Sequence, residues 1–307
     1  MPALVIFGAS GFLGRVLLAH GNFAMPVKAV ARVIPGDAAL AHPGVRWVVG
    51  NLRDPASIDG VLAPGDVVVN LAYMPTGGEE ANLDLVANLV DACLRAGVAR
   101  LVHCSTANVV GSVQASLVTE EVPCAPLTSY EHTKWKIEQR VADGVSKGLD
   151  AAILRPTAIV GLGGKNLQSL AASLTTQAGV VQYLRSCLFG ARPMHLVPAR
   201  DVAAALLHLA AMPGRLEAEV YHVSADDDPD NNFQRVEAIL ADAMRVERCR
   251  VPAIFLPRVV LALVLRLRGR SETNLDRVYS PTKLRSTGFR PTESIADAIR
   301  EFGQSLR

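Results

Sequence analysis

The chain has 307 residues, half of them hydrophobic and a fifth charged, with 24 Gly and 18 Pro. That is enough apolar material for a core, it excludes a disordered, collagenous or low-complexity chain, and it suits about two domains or one large α/β unit with an added lobe. Thirty-one Lys and Arg against 29 Asp and Glu leave +2, and aromatics are 5%, so neither a nucleic-acid field nor a base-stacking surface is expected. The basic residues are lopsided, with only 6 Lys among the 31.

Short, nearly continuous apolar runs mark strands at 4–7, 27–31, 45–49, 66–72, 100–105 and 151–156, as strands buried on both faces require. Between them Phe12–His20, Pro55–Val61, Glu80–Ala96 and Ser129–Ser146 read as helices. The third carries an apolar stripe at Leu83, Val86, Ala87, Val90 and Leu94. This alternation predicts a doubly wound α/β fold with a parallel sheet and right-handed crossovers. Beyond Gly161 come a glycine loop (Gly161, Gly163, Gly164), a helix near Ser169–Ala178, a helix Val202–Ala211 capped by Asp201, and a strand at 219–224. The acidic run 226–232 reads as a surface loop, and the remainder as mostly helix. The expected division is residues 1–160 plus 201–224 for one domain and 161–200 plus 225–307 for a smaller, mostly helical C-terminal lobe.

The N-terminus lacks a basic leader, and the apolar stretch Ile254–Leu267, broken by Pro257 and Arg258, falls short of the ~20 residues a membrane span needs. Cys93, Cys104, Cys124, Cys187 and Cys249 are widely spaced with no CxxC, and no HExxH is present. A reduced, cytoplasmic protein without a metal is expected.

Three motifs carry chemistry. The first strand runs into Gly8-Ala9-Ser10-Gly11-Phe12-Leu13-Gly14 at the start of a helix. Glycines there permit a tight turn and close approach of backbone to a pyrophosphate, which the free N–H groups of the helix N-terminus attract; the plainer reading is a tight turn. Tyr130 and Lys134 share one helix face at i and i+4, where an ammonium favours the phenolate and lowers a pKa that starts near 10. With 5 Tyr and so few Lys, such a pair is expected by chance only about 0.1 times per chain; its plainer reading is an exposed surface pair. Cys104-Ser105-Thr106-Ala107-Asn108 lies at the carboxyl end of the fifth strand, where ligands of open α/β sheets sit. A hydroxyl there orients a reacting oxygen or, more plainly, caps a turn.

In this order and spacing the residues resemble the extended short-chain dehydrogenase/reductase family, in its NAD-dependent epimerase/dehydratase branch, over nearly the whole chain. The resemblance implies a Rossmann cofactor fold and a catalytic set of Thr106, Tyr130 and Lys134. It implies cofactor contacts from Gly8, Ser10, Gly11, Phe12, Leu13 and Gly14, from Asn51 and Leu52 of the adenine segment Asn51–Asp54, and from Leu71 and Ala72 after Asn70. Asn88 (with Asn82), Cys104 and Pro156 of the signature run Arg155–Gly161 join them, as do Tyr130 and Lys134. Asp201 matches the family's acidic helix-start residue. Substrate contacts are implied for Thr106, Asn108, Tyr130 and Asn166. Tyr130 then exchanges a proton with a substrate oxygen while hydride moves to or from a nicotinamide, Lys134 lowers the tyrosine pKa and holds the ribose, and Thr106 orients the oxygen. A homodimer through Glu80–Ala96 and Ser129–Ser146 is the family's habit.

The departures sharpen the expectation. Arg32 ends the second strand where NAD enzymes place an acid, which favours NADP; the other reading is a surface Arg with Asp37 reaching the ribose. Ala107 and Asn108 stand where dehydratases carry an acidic pair, which leaves an epimerase or ketoreductase. Ala158 replaces an Asn that holds the diphosphate of nucleotide sugars, the family's commonest substrates; Gly163-Gly164-Lys165-Asn166, Arg185, Arg192 and Arg200 are substitutes for it, or else solvated or structurally paired. Two rivals stay open. Ile254–Leu267 can wall a pocket for a hydrophobic alcohol, as in the 3β-hydroxysteroid dehydrogenase branch, or with Arg258, Arg266, Arg268 and Arg270 touch a membrane surface. The chain can also be a non-catalytic, cofactor-binding sensor, although such proteins typically lose the Tyr or Lys kept here.

Overall fold

The structure, a computed structural model, describes residues 1–36, 44–177, 179–247, 274 and 276–307. Its centre is a seven-stranded parallel sheet built from β1 (Leu4–Phe7), β2 (Val27–Ala31), β3 (Val45–Val49), β4 (Val67–Asn70), β5 (Arg100–Cys104), β7 (Ala151–Pro156) and β10 (Glu219–Val223). The spatial order is β10-β7-β5-β4-β1-β2-β3. β1 lies between β2 and β4, with Leu4 facing both Val27 and Val67. The chain direction of winding reverses there, so a crevice opens beyond the carboxyl ends of β1 and β4.

Alternate residues of each strand feed opposite faces. Ile6, Val69, Val102 and Leu154 pack on α1 (Phe12–His20) and, further along the chain, on the helix Ala199–Ala211; Val5, Phe7, Val68 and Leu101 pack on α3 (Gly78–Ala96) and α4 (Ser129–Ser146). The short α2 (Pro55–Ile58) stops three residues before the expected end, where the Asp59 N–H caps the Ala56 carbonyl. α3 turns a slightly different face inward than the expected stripe. Leu85, Leu89 and Cys93 are buried with Val86 and Val90, whereas Leu83, Ala87 and Leu94 are only half-buried. Gly144 of α4 lies so close to α3 that a Cβ on it would stand 2.7 Å from Val90.

The rest of the chain adds a two-stranded pair of β6 (Leu117–Val118) with β11 (Val278–Tyr279) and a second pair of β8 (Ala158–Val160) with β9 (Leu196–Pro198). Helices α5 (Gln168–Thr176), α6 (Gly179–Phe189), α7 (Ala199–Ala211), α8 (Phe233–Met244), α9 (Thr282–Ser286) and α10 (Ile295–Gln304) complete the described chain. Leu170, Leu174, Phe233, Leu240, Ile299 and Phe302 form a third core among α5, α8 and α10.

Two local readings are corrected. Asp201 does not cap a helix: it lies inside the first turn of α7, buried, and accepts from the Thr292 N–H and hydroxyl (2.6 and 2.8 Å) and the Glu293 N–H (3.1 Å). Nor is 226–232 a simple solvated loop. The Asp226 carboxylate is fully buried, and buried Asn231 bonds both the N–H and the carbonyl of Leu196. Both cases are long-range bonds to backbone groups. Asp37, Cys249, Ile254–Leu267, Arg258, Arg266, Arg268 and Arg270 lie outside the described residues.

Candidate active site

The glycine loop sits at the crevice as the spacing requires. Gly8 adopts φ +79°, and a Cβ on it would meet the Ala72 nitrogen at 2.8 Å; one on Gly14 would meet the Gly8 and Ala9 carbonyl oxygens at 2.5 Å. No side-chain hydrogen bond from the N-cap Gly11 closes α1, whose first turn lines the crevice. Gly8, Gly11, Phe12, Leu13 and Gly14 line a cleft of about 890 Å³. Gly8 and Gly11 continue with Ser10, Arg32, Asn51, Leu52, Leu71 and Ala72 into an adjoining hollow of about 230 Å³. Asn70 is fully buried and shapes the latter's rim, its Oδ1 accepting from the Ala72 N–H at 3.0 Å.

At the other end of the same cleft stand Thr106, Asn108, Tyr130, Pro156 and Asn166. Thr106 lies two residues beyond β5 and caps the 3₁₀ turn Ala107–Val110, accepting from the Asn108 N–H at 3.3 Å; its hydroxyl also tempers the Tyr130 phenol. The capping and the oxygen-orienting readings of this residue are therefore compatible. Tyr130 lies in the first turn of α4, which Thr128 and Glu131 close with a reciprocal capping box. Tyr130 is 41% exposed and Lys134 6%.

The Tyr130 pKa is raised here, contrary to the lowering expected from sequence. Burial pushes the phenol up to about 12, and the Thr106 hydroxyl pulls the other way, while Lys134 is engaged elsewhere. The ammonium donates instead to the Cys104 carbonyl (3.3 Å) and stands 4.6 Å from the Tyr73 ring centroid. Tyr73 in turn meets Tyr130 edge-on at 5.5 Å.

Two implied contacts, Cys104 and Asn88, do not line the cavities described, and a third, Asn166, is engaged within the chain. The Cys104 side chain is buried and contributes only its carbonyl. Asn88 donates to the Leu52 carbonyl (2.8 Å), bracing the adenine segment rather than lining it. Asn166 reaches the cleft but donates to the Ile159 carbonyl (2.8 Å). Of the arginines offered for phosphate, Arg200 is held by Glu293 and Glu301, and Arg185 by Glu237 and Ser173. Arg192 lines a second cavity of about 370 Å³ together with Arg277, His195, Phe189, Phe233 and Tyr279. Asn108, Thr157 and Ala158 belong to the walls of both this cavity and the main cleft. Sequence reasoning missed Tyr73 and the second cavity, and gave no role to Ser105 and Thr157 within their motif runs. Ser105 and Thr157 are neighbours of motif residues, buried, with hydroxyls that find no partner among the described residues.

The NAD dependent epimerase/dehydratase family profile matches residues 4–224. The chain belongs to that family. It is 31% identical over 243 residues to sterol demethylase protein B of Methylococcus capsulatus, covering 72% of this chain and 69% of that one. It is 26% identical over 205 residues to UDP-glucose 4-epimerase of Azospirillum brasilense, covering 62% and 58%. The chain spans about half the length of the first curated relatives it matches. Among solved structures, dTDP-glucose 4,6-dehydratase from Streptomyces venezuelae with NAD and TYD bound superposes with a TM-score of 0.70 at 23% identity, over 99% of this chain and 96% of that one, a likeness of fold. The dinucleotide of an NAD-dependent epimerase/dehydratase fits this site on its own evidence: Gly8 and Gly14 allow a turn too tight for any Cβ, which brings bare backbone to the cleft wall, and the Ser105 hydroxyl on the same wall has no partner among the described residues.

Proposed function

We propose that the chain is an NAD(P)-dependent oxidoreductase or epimerase acting on a hydroxyl or keto group of a nucleotide sugar. The observation that carries this reading is the placement of Thr106 and Tyr130 together on the main cleft, beside the wall it shares with the second cavity. One cavity carries the glycine loop; the other carries arginines and aromatic rings, suited to a charged substrate with a planar base.

Gly8, Ser10, Gly11, Phe12, Leu13 and Gly14 would hold the pyrophosphate, Arg32, Asn51 and Leu52 the adenosine end, and Leu71, Ala72 and Pro156 the nicotinamide end. Hydride acceptance and donation at carbon is the chemistry the nicotinamide supplies when bound. Tyr130 takes the proton of a substrate hydroxyl on oxidation and returns it to a carbonyl oxygen on reduction, while Thr106 fixes that oxygen by a second hydrogen bond. Lys134 holds the ribose and, once turned from Tyr73, stabilises the phenolate. Arg32, exposed at the edge of the adenosine hollow, favours a 2′-phosphate and thus NADP over NAD. Ala107 and Asn108 place no carboxylate after Thr106, and Glu79 at the cleft is drawn to Lys136 (2.5 Å), which supports epimerisation or reduction over elimination.

One observation favours a second reading, a hydrophobic alcohol or ketone. Leu170, Phe189, Met194 and Phe233 give the second cavity an apolar lining, and one relative is named for sterol demethylation. The reading of a non-catalytic sensor is disfavoured by the retained Tyr130 and Lys134. A homodimer through α3 and α4 and a cytoplasmic setting complete the proposal; no described helix is long and apolar enough to cross a membrane. Incubating the protein with NAD⁺ or NADP⁺ and, in turn, UDP-glucose, UDP-galactose, dTDP-glucose and steroid ketones or alcohols, with product NMR and reduced-cofactor absorbance, decides between the substrate classes. Conversion of a nucleotide sugar supports the proposal, and conversion of steroids alone overturns it.

A further inference from the structure

We infer that Thr157 and His195 form a polar strip on the wall of the second cavity that reads hydroxyl groups on the ring of the substrate, selecting a polyhydroxylated ring over an apolar one. The inference rests on the reading above and adds which residues discriminate.

Thr157 follows Pro156 at the end of β7. It is 7% exposed, it belongs to the walls of both cavities, and its hydroxyl has no hydrogen-bond partner among the described residues. Buried hydroxyls are rarely left unpaired, so the partner is expected from whatever fills the space. His195 is its neighbour across β8 and β9: the Ala158 N–H donates to the His195 carbonyl at 2.8 Å.

The His195 side chain is fixed from behind. Nδ1 stands 2.7 Å from the fully buried Asp226 carboxylate, whose same oxygen accepts the Tyr279 N–H at 2.8 Å. The contact to Asp226 occupies Nδ1, so Nε2 is the ring nitrogen left for the cavity. Nε2 makes no hydrogen bond to a described residue, and His195 lines the second cavity. The ring is also packed edge-on against Tyr279 at 5.3 Å. The backbone at His195 has φ +52°, an uncommon conformation for a residue with a Cβ, and such residues cluster at ligand sites. A strip of one hydroxyl and one imidazole nitrogen, beside the Asn108 amide, matches adjacent hydroxyls of a sugar; an apolar ring would leave all of them unpaired.

The test is calorimetric titration of the NAD⁺-loaded chain with UDP-glucose and with UDP, which lacks the sugar. The variants are Thr157→Val, Thr157→Ser and His195→Asn; Asn tolerates positive φ and keeps a donor toward Asp226 while removing Nε2. Thr157→Val and His195→Asn are each expected to weaken UDP-glucose about tenfold, leaving UDP and NAD⁺ affinities within about twofold, and Thr157→Ser to restore wild-type binding. Unchanged UDP-glucose affinity in both variants, or a wild type that binds UDP-glucose no better than UDP, overturns the inference while leaving a nucleotide-directed site standing. A wild type that binds neither UDP-glucose nor UDP but takes up a steroid ketone overturns the substrate reading itself.

Discussion

The Lys134 ammonium stands 4.6 Å from the centroid of the Tyr73 ring, and that ring meets Tyr130 edge-on at 5.5 Å. Tyr73 thus touches both the cation and the phenol. The Tyr130 phenol, raised to about 12 chiefly by burial, is expected to ionise late in a 295 nm titration of wild type minus Tyr130→Phe. Lys134→Met leaves that midpoint near 12; a wild-type midpoint at or below 10 contradicts the assignment. Because the fold favours the neutral phenol, its contribution to stability is intact below about pH 10 and declines as pH rises toward 12.

Arg32 borders the hollow that carries Asn51 and Leu52. Arg32→Asp is expected to shift the ratio of NADP⁺ to NAD⁺ affinity toward NAD⁺ by about tenfold or more, measured by fluorescence titration. An unchanged ratio removes Arg32 from the site.

His222 is wholly buried in β10, and burial together with the Arg155 charge holds its pKa down to about 4. The unfolded chain binds this proton near pH 6.5, so the stability tied to the neutral ring is full above that pH and lost as pH falls toward 4. The loss is on the order of 3 kcal/mol at the acid end, read from urea midpoints between pH 7 and 4. His222→Gln flattens the profile.

Arg155 and Glu138 form a buried ion pair at 2.6 Å, each about 5% exposed, joining β7 to α4 below Tyr130. Arg155→Met strands the carboxylate and is expected to lower unfolding stability by about 3–5 kcal/mol in urea titration. Replacing both partners by Met and Leu recovers most of it.

Local signals made half the molecule legible. The β1–glycine loop–α1 unit and the Ser129–Ser146 helix emerged with their observed bounds, because apolar runs, glycine spacing and terminal residues act within a few positions. What escaped is long-range. Asp201 bonds Thr292, Asp226 bonds His195 and Tyr279, and Lys134 meets Tyr73, contacts that no local pattern encodes. The second cavity draws on Asn108, Thr157, Phe189, Phe233 and Arg277, so it exists only once distant segments are assembled.

Turnover by Tyr130→Phe tests the proton-transfer assignment most directly. With the cofactor and a nucleotide sugar that the wild type converts, kcat is expected to fall by about 10²–10⁴-fold while cofactor affinity stays within about twofold. Wild-type-like turnover in the variant, or a cofactor-loaded wild type that converts no alcohol or carbonyl compound, contradicts it.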